Sequence, residues 1–326
     1  MFTQRVSKVN TAPRSHRCQF SLTKTLGRRG KSGPWTLWRC SICNWVKLGE
    51  SPSLEEAYPT GYYGSGHRKF VSGFEWISTL LPPLLQDCVK RISKTAKTEG
   101  RTPCIIDIGC GRGYLLHRLA EVGWHCAGLD IPQSPVPAKS SKVDFRISSA
   151  DEVLPWPAAV FDLAVLNHVL EHTINPGFVV KEALRVIRPG GYLYVGVPNF
   201  ESWQADCFKD FWFPLEIPRH LHHFGLLSLR LLLEEYGFKI EYISTRSLRQ
   251  GIFGYIQSFL NISDRKNPDL LFDFLKGRAN GSVLRMALHI FFGGLTLPLA
   301  ILESFLSPLF SRGPVIVMVA QKEIAS

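Results

Sequence analysis

The chain has 326 residues, a formal net charge of +11, 45% apolar residues and 12% aromatic residues. That length admits one large α/β domain with additions or two modest domains, and so apolar a composition excludes wholesale disorder. Eight scattered cysteines (Cys18, Cys40, Cys43, Cys88, Cys104, Cys110, Cys126 and Cys207) do not form a disulfide framework, which points to a reducing, cytoplasmic compartment.

Residues 1–60 read as an irregular, cysteine-containing segment. Its first fifty residues carry ten Lys and Arg against one acid, Glu50. Such a stretch is a solvated basic tail or meets an anionic surface. No apolar h-region opens the chain, so residues 1–20 do not read as a secretory signal. A helix is expected from about Phe70 to Lys94, broken at Pro82 and Pro83. A basic linker, Ser93–Thr102, then leads into the main domain, so that 61–102 forms a helical lid and linker.

From Pro103 to about residue 250 strands and helices alternate. The expected strands are Cys104–Gly109, Trp124–Leu129, Val143–Ser148, Phe161–Asn167, Tyr192–Val197 and Phe238–Ser244. The expected helices are Tyr114–Val122, Pro176–Ile187 and Leu227–Tyr236, the second stopped by Arg188-Pro189-Gly190-Gly191. This rhythm predicts a doubly wound, mostly parallel sheet with helices on both faces. Gly251–Arg312 breaks it with a long apolar helical insertion. Val315–Ala320, within 313–326, supplies a last strand.

Asp107-Ile108-Gly109-Cys110-Gly111-Arg112-Gly113 lies directly after one strand and before one helix, the context that gives a glycine motif meaning. Glycine lets the backbone turn and approach a ligand without a Cβ clash. A dinucleotide fingerprint needs glycine at 114, where this chain has Tyr114; a cofactor bearing an amino-acid carboxylate fits better than a pyrophosphate. Asp130, at the end of the next strand, is placed to accept from both ribose hydroxyls. Asp151, with Glu152 beside it, is placed to meet an adenine amino group. Asn167 and His168 end the fourth strand. Ligands of open α/β sheets bind at these strand ends.

Ile105–Gly113, Leu154-Pro155-Trp156-Pro157, Phe161-Asp162-Leu163, His168-Val169-Leu170-Glu171-His172 and Arg185–Gly191 together resemble the motifs of class I S-adenosylmethionine-dependent methyltransferases. The resemblance covers about residues 60–250 and the last strand. It implies the seven-stranded Rossmann-like fold with the last strand antiparallel. It implies S-adenosylmethionine binding by Gly109, Gly111, Gly113, Asp130, Asp151 and Asn167, with Asp107 bracing the loop or meeting the methionine amine. Tyr62-Tyr63-Gly64 looks like a lid segment of related enzymes, with Tyr63 over the cofactor; packing is the alternative.

Methyl transfer aligns a nucleophile with a sulfonium carbon, and a hydroxyl acceptor gains from a base. Histidine suits that task near neutral pH. The candidates are His168, His172 and the cluster Arg219-His220-Leu221-His222-His223. That cluster follows an aromatic loop (Trp203, Phe208, Phe211, Trp212, Phe213) on the usual acceptor side of the resembled family. His220 is the favoured base; His172 reads as a capping or packing residue.

Cys40-Ser41-Ile42-Cys43 is a two-thiol knuckle, and a structural zinc needs four ligands. The resembled family often begins with two such pairs; here only His16-Arg17-Cys18 remains upstream. The readings are zinc on His16, Cys18, Cys40 and Cys43, or a decayed ribbon held by packing. Met286–Leu302 carries no formal charge and is flanked by Lys276, Arg278, Arg285 and Arg312. Gly293-Gly294 and Pro298 argue against a spanning helix. It is a lid on the core or on a second subunit, or a peripheral membrane contact over 283–310.

The expected function is methyl transfer to oxygen of a small-molecule, glycan-linked or lipid-linked acceptor. The alternatives are C-methylation of a quinone or sugar ring, or a non-catalytic binding protein with a vestigial fold. Nucleic acid is not an expected partner, because Asn167-His168-Val169-Leu170 lacks a flipped-base motif.

Overall fold

The computed structural model describes residues 4–5, 18–26, 35–58, 82–134, 142–276 and 282–324. In chain order these form β1 (Gln4–Arg5), β2 (Phe20–Leu26), β3 (Trp35–Cys40), β4 (Val46–Leu48), α1 (Leu54–Ala57) and α2 (Pro83–Thr98). The alternating core follows: β5 (Cys104–Ile108), α3 (Tyr114–Glu121), β6 (His125–Asp130), β7 (Val143–Ile147), β8 (Phe161–Asn167), α4 (Pro176–Val186) and β9 (Ile187–Pro198). Then come α5 (Trp203–Phe208), β10 (His222–His223), α6 (Leu226–Glu235) and β11 (Phe238–Ser244). Helices α7 (Leu248–Ser263), α8 (Leu270–Leu275) and α9 (Val283–Leu306) precede β12 (Val315–Lys322).

The main sheet runs β1-β11-β12-β9-β8-β5-β6-β7. Strands β7, β6, β5, β8 and β9 are parallel, and β12 is antiparallel to both its neighbours. This is the expected seven-stranded sheet, with Gln4–Arg5 added at the β11 edge. Alternation along the strands explains why both faces are covered. Ile106, Ile108, Ala164, Leu166, Leu193 and Val195 face one core with Val180 and Ala183 of α4. Ile105, Leu163, Val165 and Tyr194 face the other, against Leu85 and Ile92 of α2 and Leu116 of α3. Under the sheet, buried Asp162 accepts from Cys104 N at 2.8 Å and pairs with Arg101 at 2.8 Å and Arg188 at 3.3 Å.

Three boundaries differ from the sequence reading. The N-terminal segment is not irregular throughout: β2, β3 and β4 join β10 in a four-stranded antiparallel sheet, order β10-β4-β3-β2. Its strands are short and basic, but Trp35, Leu37, Val46 and Leu48 turn inward onto Phe208, Trp212 and Leu215. The linker at Ser93–Thr102 is helical to Thr98, because Cys88, Ile92 and Ala96 continue a buried stripe at i, i+4, i+8. Arg188-Pro189-Gly190-Gly191 lies inside β9, where the pairing with β8 skips between Phe161 and Leu163 and Gly190 takes φ +77°. The expected stop signal is thus absorbed as a bulge, and regular pairing resumes at Tyr192.

The candidate active site

The turn after β5 is built on positive φ at Gly109 (+77°), Gly111 (+53°) and Gly113 (+68°). The amides of Gly109 and Cys110 both donate to Leu129 O, at 2.7 and 3.1 Å, which fastens the turn to the end of β6. A Cβ on Gly109 would stand 2.3 Å from Val169 Cγ2, and one on Gly113 2.5 Å from Phe145 Cζ. A Cβ on Gly111 would meet nothing within 4 Å: it would project into the open cradle. Gly113 opens α3 and does not itself face the cavity described next.

A cavity of about 430 Å³ lies at the carboxyl ends of the parallel strands, lined among others by Gly109, Gly111, Asp130, Asp151, His168 and His172. That is a common size for small-ligand sites. Asp130 turns toward the glycine bend: its Oδ2 accepts from Gly111 N at 2.6 Å and its Oδ1 from Ile131 N at 2.8 Å. Burial raises its carboxyl above the ordinary range, although those donors and Ser134 oppose the shift. Asp107 is buried behind the turn. Burial first, and the neighbouring Asp130 second, push its carboxyl up to about 8. Among the described residues no cation pairs with that group, and it stands behind the turn, off the cavity wall.

Other expected cofactor residues fall less uniformly. Asp151 lines the cavity, and its two oxygens accept from Ile174 N (3.0 Å) and Asn175 N (2.9 Å), which ties it to the backbone after β8 as Asp130 is tied to the glycine turn. Glu152 is exposed, accepts from Ser148 Oγ at 2.7 Å and is not part of the cavity wall. Asn167 is exposed at the end of β8, over Gly196, and is likewise not part of the cavity wall. Tyr63 lies outside the described residues. The wall instead recruits Ser148, Ser149, Ile131 and Tyr58, whose only signal in the sequence was position just after a strand or in an aromatic N-terminal stretch.

The histidines separate by hydrogen bonding. His168, held at φ +59°, and His172 both leave the turn after β8 and line the cavity. His168 Nδ1 donates to the buried Glu171 Oε1 at 3.1 Å, and its Nε2 takes a contact from Gln250 Nε2. Its lone pair is therefore occupied. His220 is buried off the cavity. Its Nδ1 donates to Pro214 O at 2.7 Å and its Nε2 to Glu216 Oε2 at 3.1 Å. A carbonyl and a carboxylate only accept, so both ring nitrogens carry protons. Burial opposes that charge, but Glu216, then Glu171, hold the ring above its ordinary value. His220, the expected base, thus has both ring nitrogens engaged and does not line the cavity. His172 Nδ1 donates to Arg219 O at 3.1 Å, which leaves Nε2 as a lone pair with no described donor. Burial, then the charge of His220, lower His172 to about 4. The packing expected for His172 is present too: its ring meets those of Tyr58 and His220. Glu171, His172 and His220 each bring a donor atom within 4.8 Å of the others, but a doubly protonated His220 has no pair to give a metal.

The aromatic loop is also reassigned. Phe208 and Trp212 are core residues under the N-terminal sheet, and only Arg219 and Leu221 of this stretch reach the cavity. Of the expected metal ligands, Cys18, Cys40 and Cys43 come together, their sulfurs within 4.8 Å of one another and Cys18 Sγ 3.7 Å from Cys43 Sγ. None is in a disulfide. His16 lies outside the described residues.

A family model described as a methyltransferase domain matches residues 80–243, half of the chain. A probable S-adenosylmethionine-dependent methyltransferase of Mycolicibacterium smegmatis is 34% identical over 140 residues, covering 42% of this chain and 52% of the relative. A ubiquinone biosynthesis O-methyltransferase of Aromatoleum aromaticum is 30% identical over 115 residues, covering 33% and 48%. The chain thus spans about half the length of these curated relatives. The solved structure of Haemonchus contortus phosphoethanolamine N-methyltransferase 2 with S-adenosyl-L-methionine superposes with a TM-score of 0.51 at 14% identity, over 86% of this chain and 63% of that one; this likeness concerns the fold. Because the matched half contains every parallel strand and the glycine turn at their carboxyl edge, the chain belongs to the class I S-adenosylmethionine-dependent methyltransferases.

Proposed function

We propose that the protein transfers the methyl group of S-adenosylmethionine to an oxygen of a small or lipid-linked acceptor, with His172 as the acceptor-side base. The observation that carries this reading is the uncommitted Nε2 of His172 in the same cavity as Gly111 and Asp130. The cradle fits the cofactor. Asp130 suits the ribose hydroxyls, the open face of Gly111 admits the amino-acid part, and Asp107 suits the α-ammonium. The bound cofactor supplies an electrophilic methyl carbon. His172 would take the acceptor's hydroxyl proton at Nε2, while Arg219 O fixes the ring's tautomer. Ubiquinone O-methyltransferases among the relatives, at about 30% identity, support oxygen as the target. Incubation of purified protein and methyl-labelled cofactor with extract fractions tests this. An ether-linked label in the product supports it; label on ring carbon sinks it.

We infer also that Cys18, Cys40 and Cys43 hold a structural zinc ion. Their donor set and spacing suit it. Backbone amides of Ile42 and Cys43 point at Cys40 Sγ, the arrangement that stabilises a metal-bound thiolate. The fourth ligand expected from the sequence, His16, lies outside the described residues.

A further inference from the structure

Helix α9 is built inside out for a water-soluble surface. Its buried positions are Met286, His289, Gly293, Thr296, Ala300 and Ser304, a single stripe of mostly small or polar side chains. That stripe packs on α7, where a Cβ on Gly293 would approach Ile256 Cγ2 to 3.2 Å and Ser304 Oγ would meet a Cβ on Gly251 at 2.6 Å. The large apolar side chains point away from the protein: Phe291 is 61% exposed, Leu295 60% and Leu302 54%. Exposed Leu309 and Phe310 continue the surface past the helix end. A contiguous apolar surface of this kind on a folded protein marks a docking face.

The distribution chooses the occupant. A second copy of the chain would cover one further stripe of the helix, yet Leu288, Ile290, Phe291, Phe292, Leu295 and Leu299 are exposed around its remaining circumference. Lipid can cover all of it. Small residues toward the protein and large ones toward hydrocarbon is the pattern of a helix in contact with acyl chains. The helix is long and apolar enough to cross a bilayer, but both ends are tied to one protein body. Arg285 and His289 lie 3.5 and 3.4 Å from Asp264 at one end. Gln204 reaches Glu303 at 2.7 Å at the other, and the chain then re-enters the sheet as β12 beside β9. The helix therefore lies along the protein surface. From Arg246 to Arg312 the segment carries eight basic and four acidic residues. Arg246 stacks 5.7 Å over Phe305, and exposed Arg265 and Lys266 border the other end.

From this we infer that α9 seats the enzyme in the interfacial layer of an anionic membrane, its outer face among acyl chains and its flanking arginines and lysines at the headgroups. This surface is separate from the catalytic cavity and stands whatever the acceptor proves to be.

The test is flotation of the full chain with phosphatidylglycerol-containing vesicles and with phosphatidylcholine vesicles. The chain should float with the anionic vesicles and at least about fivefold less with neutral ones, and high salt should weaken the binding. The triple variant Phe291→Ser, Leu295→Ser, Leu302→Ser should lose flotation about tenfold while binding S-adenosylmethionine as the parent does, which shows that it is folded. Wild-type protein that stays at the bottom, a variant that floats equally, equal binding to neutral vesicles, or a stable dimer dissolved by the triple substitution would each overturn the inference.

Discussion

His172 and His220 meet edge to face, with ring centroids 4.6 Å apart, and their surroundings displace their proton affinities in opposite directions. Glu216 keeps His220 doubly protonated, and that charge, added to burial, keeps His172 neutral down to about pH 4. Replacing His172 by Gln should lower kcat on the order of a hundredfold or more, the usual worth of a positioned base, and leave cofactor affinity within about twofold. Steady-state kinetics with calorimetric cofactor binding checks this; a variant with parental kcat removes His172 from the chemistry.

The same pair makes a prediction about pH. Glu216→Gln deprives His220 of its chief counter-ion, so the ring holds its proton less tightly and repels one on His172 less, an effect larger than the loss of Glu216's own pull on His172. His172 then titrates higher, from about 4 toward its ordinary value. The acid limb of the kcat–pH profile should therefore move to higher pH in the variant. The sign for stability agrees: a histidine whose pKa falls on folding costs stability as pH drops below its unfolded value, and the loss is complete below about 4. An acid limb that stays in place in Glu216→Gln would refute the coupling.

Asp107 gives a second pH dependence, of the same sense but nearer neutrality. Its carboxyl, raised to about 8, is mostly protonated in the empty cradle at neutral pH. A cofactor ammonium favours the ionised form, so binding must expel a proton. Affinity for S-adenosylmethionine should rise with pH, approaching tenfold per unit or about 1.4 kcal/mol, and level off near pH 8. Calorimetry in buffers of differing ionisation enthalpy reads the released proton directly. In Asp107→Asn the slope should vanish; its persistence would assign the proton elsewhere.

The sheet was legible because its signals are local. Cys104–Ile108 and Phe161–Asn167 are apolar runs bounded by turn residues, and β8 and β11 coincide with the expected segments. Gly109, Gly111 and Asp130 were legible for the same reason: strand-end position fixes their place. The histidines were not. Whether His168, His172 or His220 keeps a lone pair depends on Gln250, Arg219 and Glu216, 82, 47 and 4 residues away in the chain. No spacing rule reads the first two, and the Glu216–His220 spacing alone does not reveal that both are buried. The N-terminal sheet was hidden because β4 completes its pairing with His222–His223, far along the sequence.

Two glycines of the turn should fail differently. Gly109→Ala sets a Cβ 2.3 Å from Val169 Cγ2 and strains a backbone at φ +77°, so the fold itself should lose stability, by about 2 kcal/mol or more. Gly111→Ala meets no described atom and should cost only the left-handed strain, about 1–2 kcal/mol. It should nevertheless abolish cofactor binding, because the methyl occupies the cradle. Thermal melts with and without cofactor separate the two. A Gly111→Ala protein that gains the parental melting shift would show that the cofactor does not approach this bend.

Zinc on the cysteine knuckle should be separable from the cofactor site. Cys40 ends β3, and Cys43 leads into β4, whose partner is the His222–His223 strand. The metal would therefore brace the sheet beside His220, while the glycine turn belongs to the other sheet. Purified protein should carry about one zinc per chain, and Cys43→Ser should lose it with a lower melting temperature. Cofactor affinity should change little, whereas turnover should fall, because Leu221 and Arg219 lose their support from β4, whose Leu48 amide bonds Leu221 O at 2.8 Å. Cobalt replacement offers an independent reading through thiolate-to-metal absorption. Metal-free protein with full thermal stability, or a Cys43→Ser variant that retains its zinc, would leave the knuckle as ordinary packing.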